Sequence, residues 1–347
     1  MALKSLREET YTIPRGNFDT NRESRQVKII ADKMKTLYVI GNGFDRHHDI
    51  NCSYADFHAW LLENHSGLFY EMDEIYGWCD GDWWSDFENN LGDVDVMEYA
   101  QWIALENPVD LTSDHCDSMW NDAQIAVENQ MSELYQSLQN YFEEWVSQLK
   151  EPNQEKRIFI DQYDAVFLNF NYTRTLEDMY GIRADRVLHI HGEAGKNDKL
   201  VIGHGLTENE LRAKYPTPHV LFHQGKLDEE TASCFDIHDE LAWDEAFHQV
   251  AIRRKPVKEI IQQNEIFFNG LKNVSKVCVY GLSFSDVDIP YMIKINECAP
   301  NAHWEISCFS ESDRSKVQVF AAKYGVKDYS IVRLSELCDP NQLTMSF

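Results

Sequence analysis

The chain has 347 residues, 43% of them hydrophobic, which suits one large domain with an insertion or two modest domains. Its formal net charge of −26 argues against nucleic acid as a partner, because Lys and Arg must replace the counterions of phosphate. No apolar run is long enough for a transmembrane helix and no signal peptide opens the chain, so we expect a cytoplasmic protein without membrane partners. The eight cysteines form no Cys-x-x-Cys pair and are expected to be reduced thiols.

The N-terminal part of the sequence divides into an extension and a first strand. Residues 1–33 lack periodicity, so the folded unit is predicted to begin at Met34. An apolar run from Thr36 to Ile40 predicts a strand that ends in Gly41, Asn42, Gly43, Phe44 and Asp45. Because glycine lacks Cβ, backbone N–H groups of such a loop can approach a pyrophosphate. The alternative is a tight turn from strand to helix that binds no ligand.

The next part of the chain is predicted to be helical. Helical spacing runs from Tyr54 to Leu62 with Ser53 as N-cap, and again over 123–149. No strand pattern is visible between Ile75 and Lys150, so 63–152 is predicted to be a helical insertion or cap. Its acidic, Trp-rich portion is interpreted as a solvated face on an aromatic core, with a docking surface for a basic partner as the alternative.

Strand patterns then return and define the fold class. Strands are predicted over 157–160, 165–170, 187–191, 277–280, 303–309 and 329–334, with helical patterns over 243–271 and 313–323. This alternation predicts an α/β, Rossmann-like parallel sheet built from 34–62 and 153–347. Since the carboxyl ends of parallel strands share one edge, the strand ends should meet the glycine loop in one crevice.

Polar residues at these strand ends are the candidate site residues. Asn171 could hold a water or a ribose hydroxyl, or it could cap the following helix. His191 could accept a proton at the sheet edge, or be a satisfied structural histidine. His189 lies two residues earlier and is therefore expected on the same strand face. Together with His204 and Asp45, these histidines could instead bind the metal of a phosphoesterase or nuclease.

The glycine loop and the later strand end are predicted to contact a nucleotide. An aspartate beside a pyrophosphate is costly, so Asp45 should face ribose, nicotinamide or backbone, while the N–H groups of 41–44 hold the phosphates. Asp45 could also serve only the helix dipole. The later strand end offers a glycine and three polar groups, one of which could merely cap a helix: Gly281, Ser283, Asp286 and Asp288.

Several ordered motifs resemble the phage abortive-infection AbiH family. They are Leu37–Asp45, Ser53–Phe57, Trp84–Gly92, Phe170–Thr173 and His189–Gly192, and the resemblance runs from about Met34 to about Tyr291. More distantly, the order of glycine loop, Asn strand end, His-Gly strand end and Gly-x-Ser strand end resembles the sirtuin-type NAD fold. That likeness implies that His191 activates a ribose hydroxyl and that Asn171 belongs to the catalytic site. The chain departs from the sirtuin pattern at three positions: Asp45, Phe170 and Thr173.

The resemblance implies a sirtuin-like antiphage effector that binds NAD and hydrolyses it to ADP-ribose and nicotinamide. NAD would be a substrate, with Asn171 and His191 catalytic and no metal required. A phage protein as trigger and a homo-oligomer are further expectations. Glu88 matches the family without a clear role beyond bracing the cap. The alternatives are the metal-dependent phosphoesterase or nuclease and a non-catalytic module that senses a nucleotide or phage protein.

Overall fold

The computed structural model describes residues 34–77, 79, 81–112, 114, 119–196, 199–216, 224–225 and 237–337. The predicted extension 1–33 lies outside the described residues. Within these ranges six parallel strands form one sheet in the order β3-β2-β1-β4-β5-β6. The strands are β1 Thr36–Ile40, β2 Ala165–Asn169, β3 Val187–His189, β4 Lys276–Tyr280, β5 His303–Ser307 and β6 Tyr329–Val332.

Both faces of the sheet are covered, which explains why its central strands are continuous apolar runs. In β1, Leu37 and Val39 belong to one core, whereas Tyr38 and Ile40 belong to the core on the opposite face. The chain moves outward from β1 to β3 and then returns beside β1 as β4. The predicted α/β class with a parallel sheet is therefore confirmed, and its strand order is that of doubly wound Rossmann folds.

Fourteen α-helices lie in the described residues, and a large group of them forms a separate layer. The helices are α1 Asn42–His47, α2 Tyr54–Asn64, α3 Ser66–Tyr76, α4 Gly81–Ser85, α5 Phe87–Asn90, α6 Val96–Glu106, α7 Asp122–Ser147, α8 Thr175–Asp178, α9 Glu208–Lys214, α10 Ile237–Ala251, α11 Val257–Gln263, α12 Glu265–Asn269, α13 Ile289–Cys298 and α14 Glu311–Tyr324. Four short 3-10 turns add to these: Gln154–Lys156, Ala184–Arg186, Gly270–Asn273 and Leu334–Glu336.

The helical layer has its own aromatic core. Helix α10 packs on α6 and α7, although about 90 residues of sequence separate it from α7. The core of the layer contains Trp84, Phe87 and Phe142, all fully buried. No described helix is both long enough and apolar enough to cross a bilayer.

Several predicted boundaries differ from the observed ones. Residues 157–160 form no regular strand, and the N–H of Phe159 there donates to the carbonyl of Leu337. The helical pattern over 243–271 is split into α10, α11 and α12. The first break contains Pro256, which lacks an N–H and cannot continue a helix. The predicted N-cap is confirmed: Ser53 accepts from the N–H of Asp56 in a capping box.

Candidate functional site

A deep cleft opens between the carboxyl ends of β1 and β4, where the order of the strands in the sheet reverses. Its volume is about 1000 Å³, the upper end of the range for small-molecule and cofactor sites. The sheet contributes Gly41, Asn171 and Gly281, while Trp84 and Phe142 of the helical layer line the opposite side. Open α/β sheets bind their ligands at this position.

The glycine loop does not present its N–H groups to the cleft as predicted. The N–H of Gly41 donates to the carbonyl of Tyr280 at 2.9 Å, and the N–H of Gly43 donates to the carbonyl of Gly281 at 2.7 Å. The N–H of Phe44 donates back to the carbonyl of Gly41 at 2.9 Å. Three of the four N–H groups expected to hold phosphate are thus already satisfied by backbone, and that part of the prediction is wrong.

The glycines are needed because two backbones pack against each other. A Cβ on Gly43 would lie 2.9 Å from the Cα of Gly281. Gly281 has φ +72°, and a Cβ on it would lie only 2.0 Å from the nitrogen of Phe44. Contact between the loops after β1 and β4 therefore explains Gly43 and Gly281 without any ligand.

Asp45 is a buried carboxylate with one unsatisfied oxygen beside the cleft. The residue is 1% exposed, and its Oδ2 accepts a hydrogen bond from Thr173. Its Oδ1 has no hydrogen-bond partner, and Asp45 lines the cleft. Burial raises its pKa to about 6, against the opposing effect of the hydrogen bond from Thr173 and of the nearby polar side chains of Thr175 and Asn171. Above that pH the cleft contains a desolvated negative charge.

Asn171 and His191 both line this cleft. The side-chain amide of Asn171 donates to the carbonyl of Gly41 at 3.1 Å. The alternative that Asn171 caps the next helix is wrong, since α8 begins after Arg174 and has no side-chain cap. Nε2 of His191 lies 3.3 Å from the hydroxyl of Tyr291.

The environment of His191 keeps its imidazole neutral. Its pKa lies well below the ordinary value, because the ring is buried and, to a smaller extent, because the charge of Lys255 is near. A hydrogen bond to the backbone of Phe170 acts in the opposite direction. A neutral imidazole has one ring nitrogen that can accept a proton, and the contact from Nε2 to the hydroxyl of Tyr291 is long for a hydrogen bond.

A buried ion pair that the sequence reasoning missed completes the floor of the cleft. Nζ of Lys255 lies 2.9 Å from Oε1 of Glu88, and the lysine side chain is only 1% exposed. Asp288 lies near the pair, accepts from Ser285 through Oδ2 at 3.1 Å, and leaves its Oδ1 unpartnered. Burial raises the pKa of Glu88 and of Asp288, and the charge of Lys255 opposes both shifts. Glu88, left without a mechanism by its sequence pattern, is thus a cleft residue from the helical layer.

The remaining nucleotide candidates occupy different environments. Asn42 and Ser283 are exposed and line the cleft, and Oδ1 of Asn42 also accepts from the thiol of Cys52. Phe44 is fully buried against His48 and contributes no side chain to the cleft. Asp286 is exposed and does not line the cleft, so its contact with a ribose stays a prediction.

His189 is directed away from His191, contrary to the expectation of a shared face. Strand β3 ends at His189 and the chain turns over the next two residues, so the alternation of the strand no longer applies. Nε2 of His189 lies 3.0 Å from Glu177 and 3.7 Å from Glu193, and none of these three residues lines the cleft.

The predicted metal ligands do not come together. Nε2 of His204 donates to the carbonyl of Val250 at 2.8 Å, and its Nδ1 accepts from the N–H of Leu206. The set of Asp45, His189, His191 and His204 is therefore wrong.

One other group in the described residues has the spacing of metal ligands. It consists of Glu177, His189 and Glu193, whose ligand atoms lie within 4.8 Å of one another. Arg174 and Lys196 already pair with Glu193, so the two carboxylates of this group are balanced by two cations. Four of the described cysteines are free thiols: Cys52, Cys278, Cys298 and Cys308.

Comparison with known proteins places the chain in a family. No curated protein and no solved structure matched it, so the sirtuin-type likeness stays a prediction. The family model described as bacteriophage abortive infection AbiH matches residues 37–308, which include the glycine loop, Asn171, His191, Lys255 and the strand end at Gly281. With more than half of its length matched, the chain belongs to the AbiH family of bacteriophage abortive infection proteins.

Proposed function

We propose that this AbiH protein acts in abortive infection by hydrolysing NAD to ADP-ribose and nicotinamide in the cleft. The main support is the charge of the cleft floor. Asp45 and Asp288 contribute two buried carboxyl groups there and Glu88 contributes a third that is partly buried, while Lys255 is the one buried cation beside them in the described residues. Oδ1 of Asp45 and Oδ1 of Asp288 have no hydrogen-bond partner.

Such a floor favours a ligand that brings positive charge. A buried carboxylate without a partner is destabilising, and a cationic group placed against it regains that free energy. The nicotinamide ring of NAD is cationic, and cleavage of its ribosyl bond passes through an oxocarbenium-like state with positive charge on the sugar. A carboxylate already in place stabilises that charge without reorganisation. A phosphodiester lacks this complementarity.

The roles of the two predicted catalytic residues follow from their neutral state. In the proposed reaction, water forms a bond to C1′ of the ribose while the bond from C1′ to nicotinamide nitrogen breaks. The electron pair of that bond leaves with nicotinamide, so the leaving group needs no acid. Asn171 orients the water or a ribose hydroxyl, and Nε2 of His191 accepts the proton that the water loses.

The test is a product assay with matched variants. Purified protein is incubated with NAD, NADP and ATP, with and without lysate from phage-infected cells, because a phage protein is the proposed trigger. Asn171→Ala and His191→Ala should each lower NAD hydrolysis by about 10²–10⁴-fold, the usual contribution of a general acid or base. Asn140→Ala and His248→Ala are the controls, since both residues are exposed on helices outside the cleft.

Each outcome of this assay separates the remaining alternatives. Release of nicotinamide by the parent and controls, with loss in both cleft variants, supports the proposal. Binding of NAD without products under every condition would favour a sensing module. Phosphodiester cleavage abolished by a chelator would favour the metal-dependent class. Equal NAD depletion by the parent and both cleft variants in triggered cells would refute the assigned roles.

A further inference from the structure

We propose that Arg46 and Arg333 form an anion subsite at the rim of the cleft, which binds the diphosphate of a nucleoside diphosphate ligand. This inference rests on the proposed function for the identity of the ligand, but the binding of a diphosphate can be measured without turnover. It assigns the phosphate contacts to side chains instead of the glycine loop.

The two arginines come from distant parts of the chain that the fold brings together. Arg46 lies on α1, directly after the glycine loop. Arg333 immediately precedes the 3-10 turn Leu334–Glu336, and this turn packs against α1. Leu334 also packs against the core that contains Phe44. Both arginines are exposed and both line the cleft, so their guanidinium groups are accessible to a ligand there.

Neither arginine has an ion-pair partner among the residues that the structure describes. Lys156, the other exposed Lys or Arg that lines the cleft, differs in this respect because its Nζ lies 2.6 Å from Asp49. The chain carries 58 acidic against 32 basic residues, so carboxylates are its commoner charged groups. Two guanidinium groups without an ion-pair partner among the described residues therefore line one cleft. Guanidinium groups bind phosphate oxygens through paired hydrogen bonds.

The glycine loop gives an independent reason to look for side-chain cations. The N–H groups of Gly41, Gly43 and Phe44 already donate to backbone carbonyls, so they cannot neutralise a diphosphate. The cleft floor, with Asp45 and the other buried carboxyl groups, repels phosphate. An anionic ligand group must therefore lie away from the floor, toward the rim.

The resulting arrangement orients an elongated ligand. The buried carboxyl groups of Asp45 and Asp288 lie on the floor and the two arginines lie at the rim, so a molecule with a cationic ring at one end and a diphosphate next to it matches these charges in one direction. Two less buried carboxylates, Asp86 and Asp313, also line the cleft. The subsite would also bind the product ADP-ribose, which keeps the diphosphate after the cationic ring has left. Arg46 lies within residues 37–308, which the family model matches, and Arg333 lies beyond them.

Calorimetry with ADP-ribose on the full chain tests the subsite without relying on catalysis. Arg46→Gln and Arg333→Gln should each weaken binding about tenfold, the effect expected for one charge-assisted hydrogen bond at a partly exposed position. The double variant should lose about 100-fold and show a weaker dependence on salt concentration than the parent. Arg→Lys at each position should restore part of the affinity. Arg183→Gln is the control, because Arg183 is 73% exposed in its side chain and lies outside the cleft.

Further ligands distinguish the possible results. Adenosine should bind parent and variants equally weakly, because it has no phosphate, and inorganic pyrophosphate should follow the pattern of ADP-ribose. Equal ADP-ribose affinity in the parent and the double variant would overturn the subsite, even if NAD is hydrolysed. Arginine-dependent ADP-ribose binding without NAD hydrolysis under any condition would support the subsite and refute the proposed function. No binding of ADP-ribose, ADP or pyrophosphate by the parent would overturn the subsite.

Discussion

Replacing Asp45 with asparagine should make the free protein more stable at neutral pH while it abolishes NAD hydrolysis. The folded state raises the pKa of this carboxyl from 3.8 to about 6, and burial is the main cause. A raised carboxyl pKa means that the folded state binds the proton more tightly than the unfolded state does. The contribution of Asp45 to stability is therefore highest below pH 4 and is lost as the pH rises through about 6.

The size of the effect follows from the pKa difference. About two pKa units correspond to roughly 3 kcal/mol of destabilisation by the ionised group above pH 6. Asparagine removes the charge but keeps an oxygen that can accept from Thr173. With an unfolding entropy of about 2.1 cal/mol/K per residue, 3 kcal/mol in a chain of 347 residues corresponds to a rise in Tm of about 4 °C.

Differential scanning calorimetry of the parent and Asp45→Asn at pH 5 and pH 8 measures this effect directly. About half of the penalty develops between these two pH values, so the gap in Tm should widen by about 2 °C. Turnover by the variant should be lost at both pH values, since the carboxylate of Asp45 is no longer present to stabilise the ribosyl cation. A Tm gap that does not widen with pH would refute the assignment of a desolvated, ionised carboxylate. A variant as active as the parent would remove Asp45 from the reaction.

Two further predictions concern the glycine contact and the buried ion pair. Gly281→Ala should lower the free energy of unfolding by at least about 3 kcal/mol in urea titration, because its Cβ would lie 2.0 Å from the nitrogen of Phe44. Gly325→Ala is the matched control, because Gly325 has a similar φ of +75° but open space where a Cβ would lie. This variant should lose only about 1–2 kcal/mol of unfolding free energy. Equal losses in the two variants would disprove the close contact at Gly281. Lys255→Met should lower the free energy of unfolding by about 1–3 kcal/mol at pH 8, because it leaves the partly buried carboxylate of Glu88 without its ion-pair partner. That loss should shrink as falling pH protonates the carboxyl group of Glu88. An unchanged urea midpoint of the variant at pH 8 would contradict the prediction.

Much of the site was predictable because strand ends obey a simple geometric rule. Buried parallel strands are apolar runs, so β1, β2 and β4 were visible in the sequence. Their carboxyl ends share one edge of the sheet, so the sequence predicts that Asn171 and Gly281 lie beside the glycine loop. His191 also reaches the cleft, although β3 ends two residues earlier and the chain turns there.

What could not be predicted depends on contacts between distant segments. Lys255 follows two arginines in a polar stretch, a pattern that normally indicates a solvated loop, and only the approach of Glu88 from the helical layer explains its burial. The role of Gly43 was misread for the same reason, since a glycine that admits a phosphate and a glycine that admits another backbone look identical in sequence. The expected shared face of His189 and His191 failed because strand alternation was extended past the end of the strand.

The contact between Gly43 and Gly281 also restricts how this chain can evolve. In most cores an enlarged residue can be tolerated once its neighbour becomes smaller. Here neither partner has a side chain to lose, since the obstructing atoms are the Cα and carbonyl oxygen of Gly281 on one side and the nitrogen of Phe44 on the other. A second substitution at the contact therefore cannot compensate for the first. Variation at this edge of the sheet must instead accumulate at exposed positions such as Asp286, whose side chains can change without moving the backbone.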